Sequence, residues 1–201
     1  MIFKSSEIRW FTPQKDLIWD FYKRLPESGE GTRESDRTDY YLMSGTINTG
    51  IKIREGNHEL KVKCAEDEEM EFGMMEHWIK WSTSEEKNIL NTIDKKMMGD
   101  WIAVKKKRFK KSYEIADQST LRSVQGEFVD EGCGAEFTEI HLEELDQTLY
   151  TFGFEAFSSG NKQKENLLAA LNILEVDFLE LKELDSYGYP QLLHKLNGEQ
   201  V

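Results

Sequence analysis

The sequence predicts an α+β protein built as a closed antiparallel β-barrel with helices packed outside it. Segments rich in β-formers recur along most of the chain, few stretches have helical spacing, and several strands alternate charged with apolar residues. Many strands with few helices suit either a sandwich or a barrel. Charge on one strand face and apolar residues on the other favour a barrel whose lumen is polar and whose outer wall is covered by helices.

Taken in order, residues 4–11 (KSSEIRWF) read as a strand, followed by Thr12 as a helix N-cap and Pro13 at the first helical position. The helix is expected over 13–25, with Ile18, Phe21, Tyr22 and Leu25 as its apolar stripe. Residues 26–37 (PESGEGTRESDR) bury little apolar surface and are expected to form a mobile loop within the domain. Three strands follow, TDYYLM at 38–43, TGIKIREG at 49–56 and HELKVKCA at 58–65, with Gly45 and Gly56-Asn57 as turn signals. The acidic run AEDEEME reads as a turn before a strand near 72–82 containing Trp78 and Trp81.

Ser84 is expected to cap a helix reaching Lys96, with Ile89, Leu90 and Ile93 at helical spacing. Strands resume with WIAVKKKRF at 101–109, continuing through Tyr113, then around 120–130, at 135–145 (AEFTEIHLEEL) and at 148–157 (TLYTFGFEAF). Asn161 begins a further helix with Leu167, Leu168 and Leu171 in its stripe, and SYGYPQLLHKL closes the chain as a short helix or turn.

The 201 residues suit a single domain spanning 1–201, and 38% hydrophobic content supports a packed core despite 32% charged residues. No apolar run approaches the roughly 20 residues of a membrane helix and no signal-peptide layout opens the chain, so a cytoplasmic protein without a membrane partner is expected. Cys64 and Cys133 lack metal-type spacing and read as two reduced thiols. A net charge of -12 argues against general nucleic-acid binding. The G-x-S-x-G, H-E-x-x-H, Walker A and G-x-G-x-x-G motifs are all missing from the sequence.

The cations are nevertheless clustered. Lys52 and Arg54 alternate with Ile51 and Ile53, Lys61 and Lys63 with Leu60 and Val62, and Lys106 and Arg108 lie at the same spacing further on. Period two puts each pair on one strand face, either as the wet side of an open sheet or as the lining of an anion site. A triphosphate needs such convergent Lys and Arg, with Arg able to grip phosphate oxygens bidentately. Lys105, Lys107, Lys110 and Lys111 are expected outward or in a turn. Hydrolysis would also require carboxylates for Mg or Mn, and Glu7, Glu139 and Glu155, each inside an apolar-flanked strand, are the candidate catalytic and metal-binding groups. Glu136 is an alternative to Glu139 on the opposite face, and His141 shares the face of Glu139.

The succession SSEIRWF, TGIKIREG, ELKVK, VKKKRFKKSYE, TEIHLEE, FGFEAF and SYGYPQLL resembles the CYTH or triphosphate tunnel metalloenzyme family. That family has an E-x-E-x-K first strand, successive basic strands, a K-x-R strand, late acidic strands and a terminal serine-tyrosine-x-x-leucine-leucine helix. The resemblance covers nearly the whole chain, each motif being short and their order carrying the weight. It implies an eight-stranded tunnel that hydrolyses inorganic triphosphate, thiamine triphosphate or related compounds with a divalent metal; some members cyclise ATP. It further implies that Glu7 and Arg9 match the family's second glutamate and its lysine, that Lys52, Arg54, Lys61, Lys63, Lys106 and Arg108 bind phosphate, and that Glu139 and Glu155 are the later acids. Ser5 stands where the first glutamate is expected, and Arg9 replaces lysine. These departures favour polyphosphate binding over efficient turnover, as in a weakened module that senses or sequesters nucleotide or polyphosphate. An interaction scaffold using the Trp- and Met-containing segment near 70–81 is the unrelated alternative.

Overall fold

The structure is a computed structural model that describes residues 2–26, 31–43, 45–84, 101–117, 120–124, 130–174 and 177–198. Its strands are β1 (Ile2–Thr12), β2 (Thr32–Arg33), β3 (Arg37–Leu42), β4 (Thr49–Arg54), β5 (Asn57–Lys63), β6 (Glu68–Met70), β7 (Gly73–Ser84), β8 (Trp101–Asp117), β9 (Thr120–Val124), β10 (Glu131–Leu142), β11 (Gln147–Ser158) and β12 (Asp185–Ser186). Helix α1 (Lys15–Arg24) lies between β1 and β2, α2 (Gln163–Ile173) follows β11, and α3 (Tyr189–Gly198) ends the described chain.

Antiparallel pairing runs β1–β11–β10–β8–β3–β4–β5–β7, and β7 pairs back onto β1, closing an eight-stranded barrel. Short β6 extends β7, β2 and β9 pair with β8, and β12 adds to β1. Closure leaves each of the eight barrel strands paired on both sides and separates an inner from an outer face.

The main apolar core lies outside the barrel wall. Ile8 and Trp10 of β1, Phe137 of β10, and Phe152 and Phe154 of β11 pack against Ile18, Phe21 and Tyr22 of α1 and Leu167, Ala170 and Leu171 of α2. Trp10 stacks on Phe152 and on Phe178, with centroids 5.7 and 6.3 Å away. A second core lies within the barrel at one end. There inner-face Phe11, Tyr41, Ile102, Val104, Ile140, Leu142 and Leu149 meet Tyr187 and the α3 residues Leu192, Leu193 and Leu196, so α3 plugs that end.

Several local expectations shift. Gln14, not Thr12, is the N-cap of α1; Thr12 ends β1 and its hydroxyl accepts the Gln14 N–H at 3.1 Å. Within 26–37, β2 pairs with Lys110 and Phe109, and the Glu34 N–H donates to the Arg108 carbonyl at 3.0 Å, so this part forms barrel wall; residues 27–30 lie outside the described residues. The hairpin after β4 turns on Glu55 and Gly56, both at positive φ (50° and 81°), as a two-residue turn matched to strand twist requires. The acidic run contains β6. The expected helix from Ser84 to Lys96 falls outside the described residues except for Ser84, which ends β7. Helix α2 begins at Gln163 and follows Asn161 in a left-handed conformation. No described helix is long and apolar enough to cross a membrane. Both cysteines are free, Cys64 exposed and Cys133 buried.

Candidate functional site

Between the plugged end and the opposite rim, the lumen holds a cavity of about 180 Å³. Among the described residues its cations are Arg9, Arg37, Lys52, Arg54, Lys61, Lys80, Lys106, Arg108 and Lys110, nine against the four carboxylates Glu7, Glu59, Glu136 and Glu155. Strand alternation brings them there: Lys106, Arg108 and Lys110 are successive inner positions of β8, Lys52 and Arg54 of β4, and Glu7 and Arg9 of β1. Glycine at 153, the Cα partner of Arg9, makes room for the site, since a Cβ there would lie 2.8 Å from the Ile8 carbonyl oxygen.

The cations are braced by buried carboxylates. Fully buried Asp39 pairs with Arg37 and Lys106, each at 2.9 Å, and with Lys52 at 3.8 Å. Burial alone would raise its pKa; Lys106, Lys52 and Arg37 reverse this and hold it well below the usual range. Glu59 pairs with Arg54 and, at 3.0 Å, with Lys52. Glu136 lies 3.5 Å from Arg9 and 3.3 Å from Arg108. Its burial opposes ionisation, but Arg9, then Lys110 and Arg108, bring its pKa down to about 2. Arg108 also meets Glu34 at 2.5 Å.

Lys106 sits in the strongest conflict. Its ammonium donates to the Tyr41 hydroxyl at 2.7 Å and lies 4.0 Å from the Tyr189 ring centroid. Desolvation lowers its pKa to about 7, with Lys52 adding to the fall and Asp39 opposing it. The Tyr189 hydroxyl and the Nε of Arg108 are buried without a hydrogen-bond partner among the described residues. Donors left in this state suit a polar ligand.

Of the sequence-predicted phosphate binders, Arg9, Lys52, Arg54, Lys61, Lys106 and Arg108 all line the cavity. Lys63 does not: it points to the same side of β5, but Glu76 at 3.0 Å and Asp67 at 2.6 Å tie it down beside the Trp78 ring. Glu7 and Glu155 line the cavity and are Cα partners on neighbouring strands. Glu139 is not brought to them. Its odd position in β10 turns it to the outer face, where it pairs with Lys107 at 2.7 Å, and Glu136 takes the inner place. His141 shares that outer face and lies 3.2 Å from the Thr148 hydroxyl.

Arg37, Lys80 and Tyr189 line the cavity without having been singled out in the sequence, and Lys110, expected outward or in a turn, lines it too because it continues the inner parity of Lys106 and Arg108 on β8. Extending the Lys106, Arg108 alternation by one step would have found Lys110. Lys105 and Lys107 point outward as expected, whereas Lys111 is fully buried against α1, donating to the Leu25 carbonyl at 2.9 Å. Trp78 and Met75 are buried, which accounts for much of the aromatic and methionine segment as packing.

Glu7 offers Mg or Mn a carboxylate whose two oxygens are already engaged. Glu7 Oε1 accepts from the Ser5 hydroxyl at 2.6 Å and Oε2 from Lys61 at 2.5 Å, so Ser5 engages the carboxylate it was expected to accompany as a second acid. Among the described residues no three His, Cys, Asp or Glu side chains gather as a metal-holding group. Two neighbouring cavity carboxylates fit a divalent ion that arrives with phosphate ligands better than one caged by protein alone.

No protein-family model matches this chain, and no curated protein matches it.

Proposed function

We propose that the barrel binds a triphosphate or another polyphosphorylated compound in its lumen, in the manner of a divergent CYTH domain. The single observation that carries this reading is the cavity's nine lining cations among the described residues, in excess over the four lining carboxylates and the Asp39 and Glu34 carboxylates that brace them, in a protein whose net charge is -12. Concentrating cations in a low-dielectric pocket is costly without an anion, and clefts of one sign focus the field on such a ligand. Arg9, Arg54 and Arg108 offer forked donors and Lys52, Lys61 and Lys106 offer point charges. The closed eight-stranded barrel and the order of its basic strands are consistent with the tunnel family.

Metal-dependent hydrolysis is the second reading, favoured by the pairing of Glu7 with Glu155 across the β1–β11 ladder. Mg or Mn bound there would neutralise charge on the phosphates. Glu7 and Glu155 would hold the ion, and the basic strands would orient the phosphate chain. The Ser5 and Lys61 contacts on Glu7 favour a binding module over an efficient enzyme.

Calorimetry with inorganic triphosphate, with and without Mg, tests the first reading. Arg54→Ala or Arg108→Ala is expected to weaken binding by roughly 1.5–3 kcal/mol, since each removes a charge-assisted donor. No binding by the wild-type chain would remove both readings. Phosphate release that requires Mg and vanishes in Glu7→Gln would make the protein a hydrolase.

A further inference from the structure

We propose that Glu34 is an internal counter-anion of the cavity: its carboxylate holds the Arg108–Lys110 end in the place of a phosphate, and a polyphosphate extending there must displace it. This rests on the phosphate reading above and concerns which chain lengths that site prefers.

Glu34 reaches the cavity because of the chain's path before β3. Thr32 and Arg33 of β2 pair with Lys110 and Phe109, and the Glu34 N–H donates to the Arg108 carbonyl at 3.0 Å, so residues 32–34 lie along β8. Gly31 permits this approach, since its φ is 76° and a Cβ there would lie 2.6 Å from the Lys110 carbonyl oxygen. The two acids of the connection then part. Asp36 stays half exposed and pairs with Arg33 at 3.0 Å. Glu34 places one oxygen 2.5 Å from Arg108 and the other 3.7 Å from Lys110, and both of those cations line the cavity.

The guanidinium of Arg108 shows why a phosphate would take this place. Its Nη1 meets Glu136 at 3.3 Å and its Nη2 meets Glu34, while its Nε is buried without a partner among the described residues. Nε and Nη2 form one forked edge, of which Glu34 uses half; a phosphate can accept from both donors. One carboxylate must therefore leave. Glu136 sits within a barrel strand and is also held by Arg9 and the Thr138 hydroxyl, at 3.5 and 3.0 Å. Glu34 lies between β2 and β3 with its side chain 35% exposed, so it regains water when it swings away. Arg9, Lys52, Arg54 and Lys61 pair with other carboxylates, so a short anion can sit among them while Glu34 stays in place.

Calorimetric titration of the full chain with inorganic pyrophosphate, triphosphate and tetraphosphate tests this. Glu34→Gln is expected to tighten triphosphate and tetraphosphate about fivefold and to leave pyrophosphate within about twofold of wild type. Glu34→Asp keeps the charge but draws it back by one methylene, so its gain should fall between wild type and Glu34→Gln. That variant also carries the test if Glu34→Gln loses cooperative melting. Asp36→Asn removes a charge from the same connection without touching a cavity cation and should change nothing. An equal gain for all three chain lengths, or the same gain in Asp36→Asn, would reduce the effect to long-range repulsion and overturn the inference. Wild-type affinity for triphosphate in both Glu34 variants overturns it too and leaves the phosphate reading standing. Failure of every compound to bind wild type and variants alike overturns both.

Discussion

Along the inner face of the same strands, the two halves of the lumen differ in chemistry. On β8, Ile102 and Val104 give way to Lys106, Arg108 and Lys110; on β1, Phe11 gives way to Arg9 and Glu7; on β10, Leu142 and Ile140 give way to Glu136. The apolar half is closed by α3 and is a core in the ordinary sense. The charged half gains little from the hydrophobic effect and is held by ion pairs that largely offset their own desolvation. The difference assigns stability to one half and ligand recognition to the other, and substitutions should separate the two.

The largest effect is expected at the plug. Phe11 is 4% exposed and packs on Tyr187 and Tyr189, with centroids 5.3 and 5.6 Å away. Phe11→Ala should cost about 3–5 kcal/mol in denaturant unfolding. A loss below about 1 kcal/mol would mean that α3 does not seal this end as a core does.

Glu136→Gln should show the opposite balance. The Glu136 carboxyl is held at about 2, below its ordinary 4.5, so it stabilises the fold above the ordinary value and that stability is lost as pH falls through about 2. The substitution should cost roughly 2–3 kcal/mol at neutral pH and flatten the acid limb of the melting curve. Triphosphate should bind more tightly, because a repelling carboxylate is gone from between Arg9 and Arg108. Weaker binding would break the division between the halves.

A smaller effect is expected at Lys106. With its pKa lowered to about 7, the ammonium is present below that pH and lost above it. Triphosphate affinity should therefore fall by up to about tenfold per pH unit above neutrality. Lys106→Arg stays charged throughout, so the ratio of wild-type to variant affinity removes the ligand's own titration. A ratio constant from pH 6 to 9 would show that Lys106 does not titrate in the site.

Much of the barrel was legible because alternation is a local property. Lys52 with Arg54, and Lys106 with Arg108, announced an inner face through the apolar residues between them. The same rule separated Glu136 from Glu139 by parity, but parity alone does not say which of two faces is inside. That required the register of β10 against β8 and β11. Lys63 failed as a cavity residue for a similar reason: its strand position was right, but Glu76 on the neighbouring strand captures it.

The sequence by itself determined the strand-rich architecture, the stripes of α1 and α2 and the clustering of cations, because each follows from residue spacing within a single element; it left the closing segment as a helix or a turn. Only the tertiary structure decided that the sheet closes through β1 and β7, that α3 plugs one end, and that Arg37, Lys80 and Tyr189 join the cavity. These depend on pairings between segments far apart in the chain. Their energies come from burial and charge pairing that no local window contains.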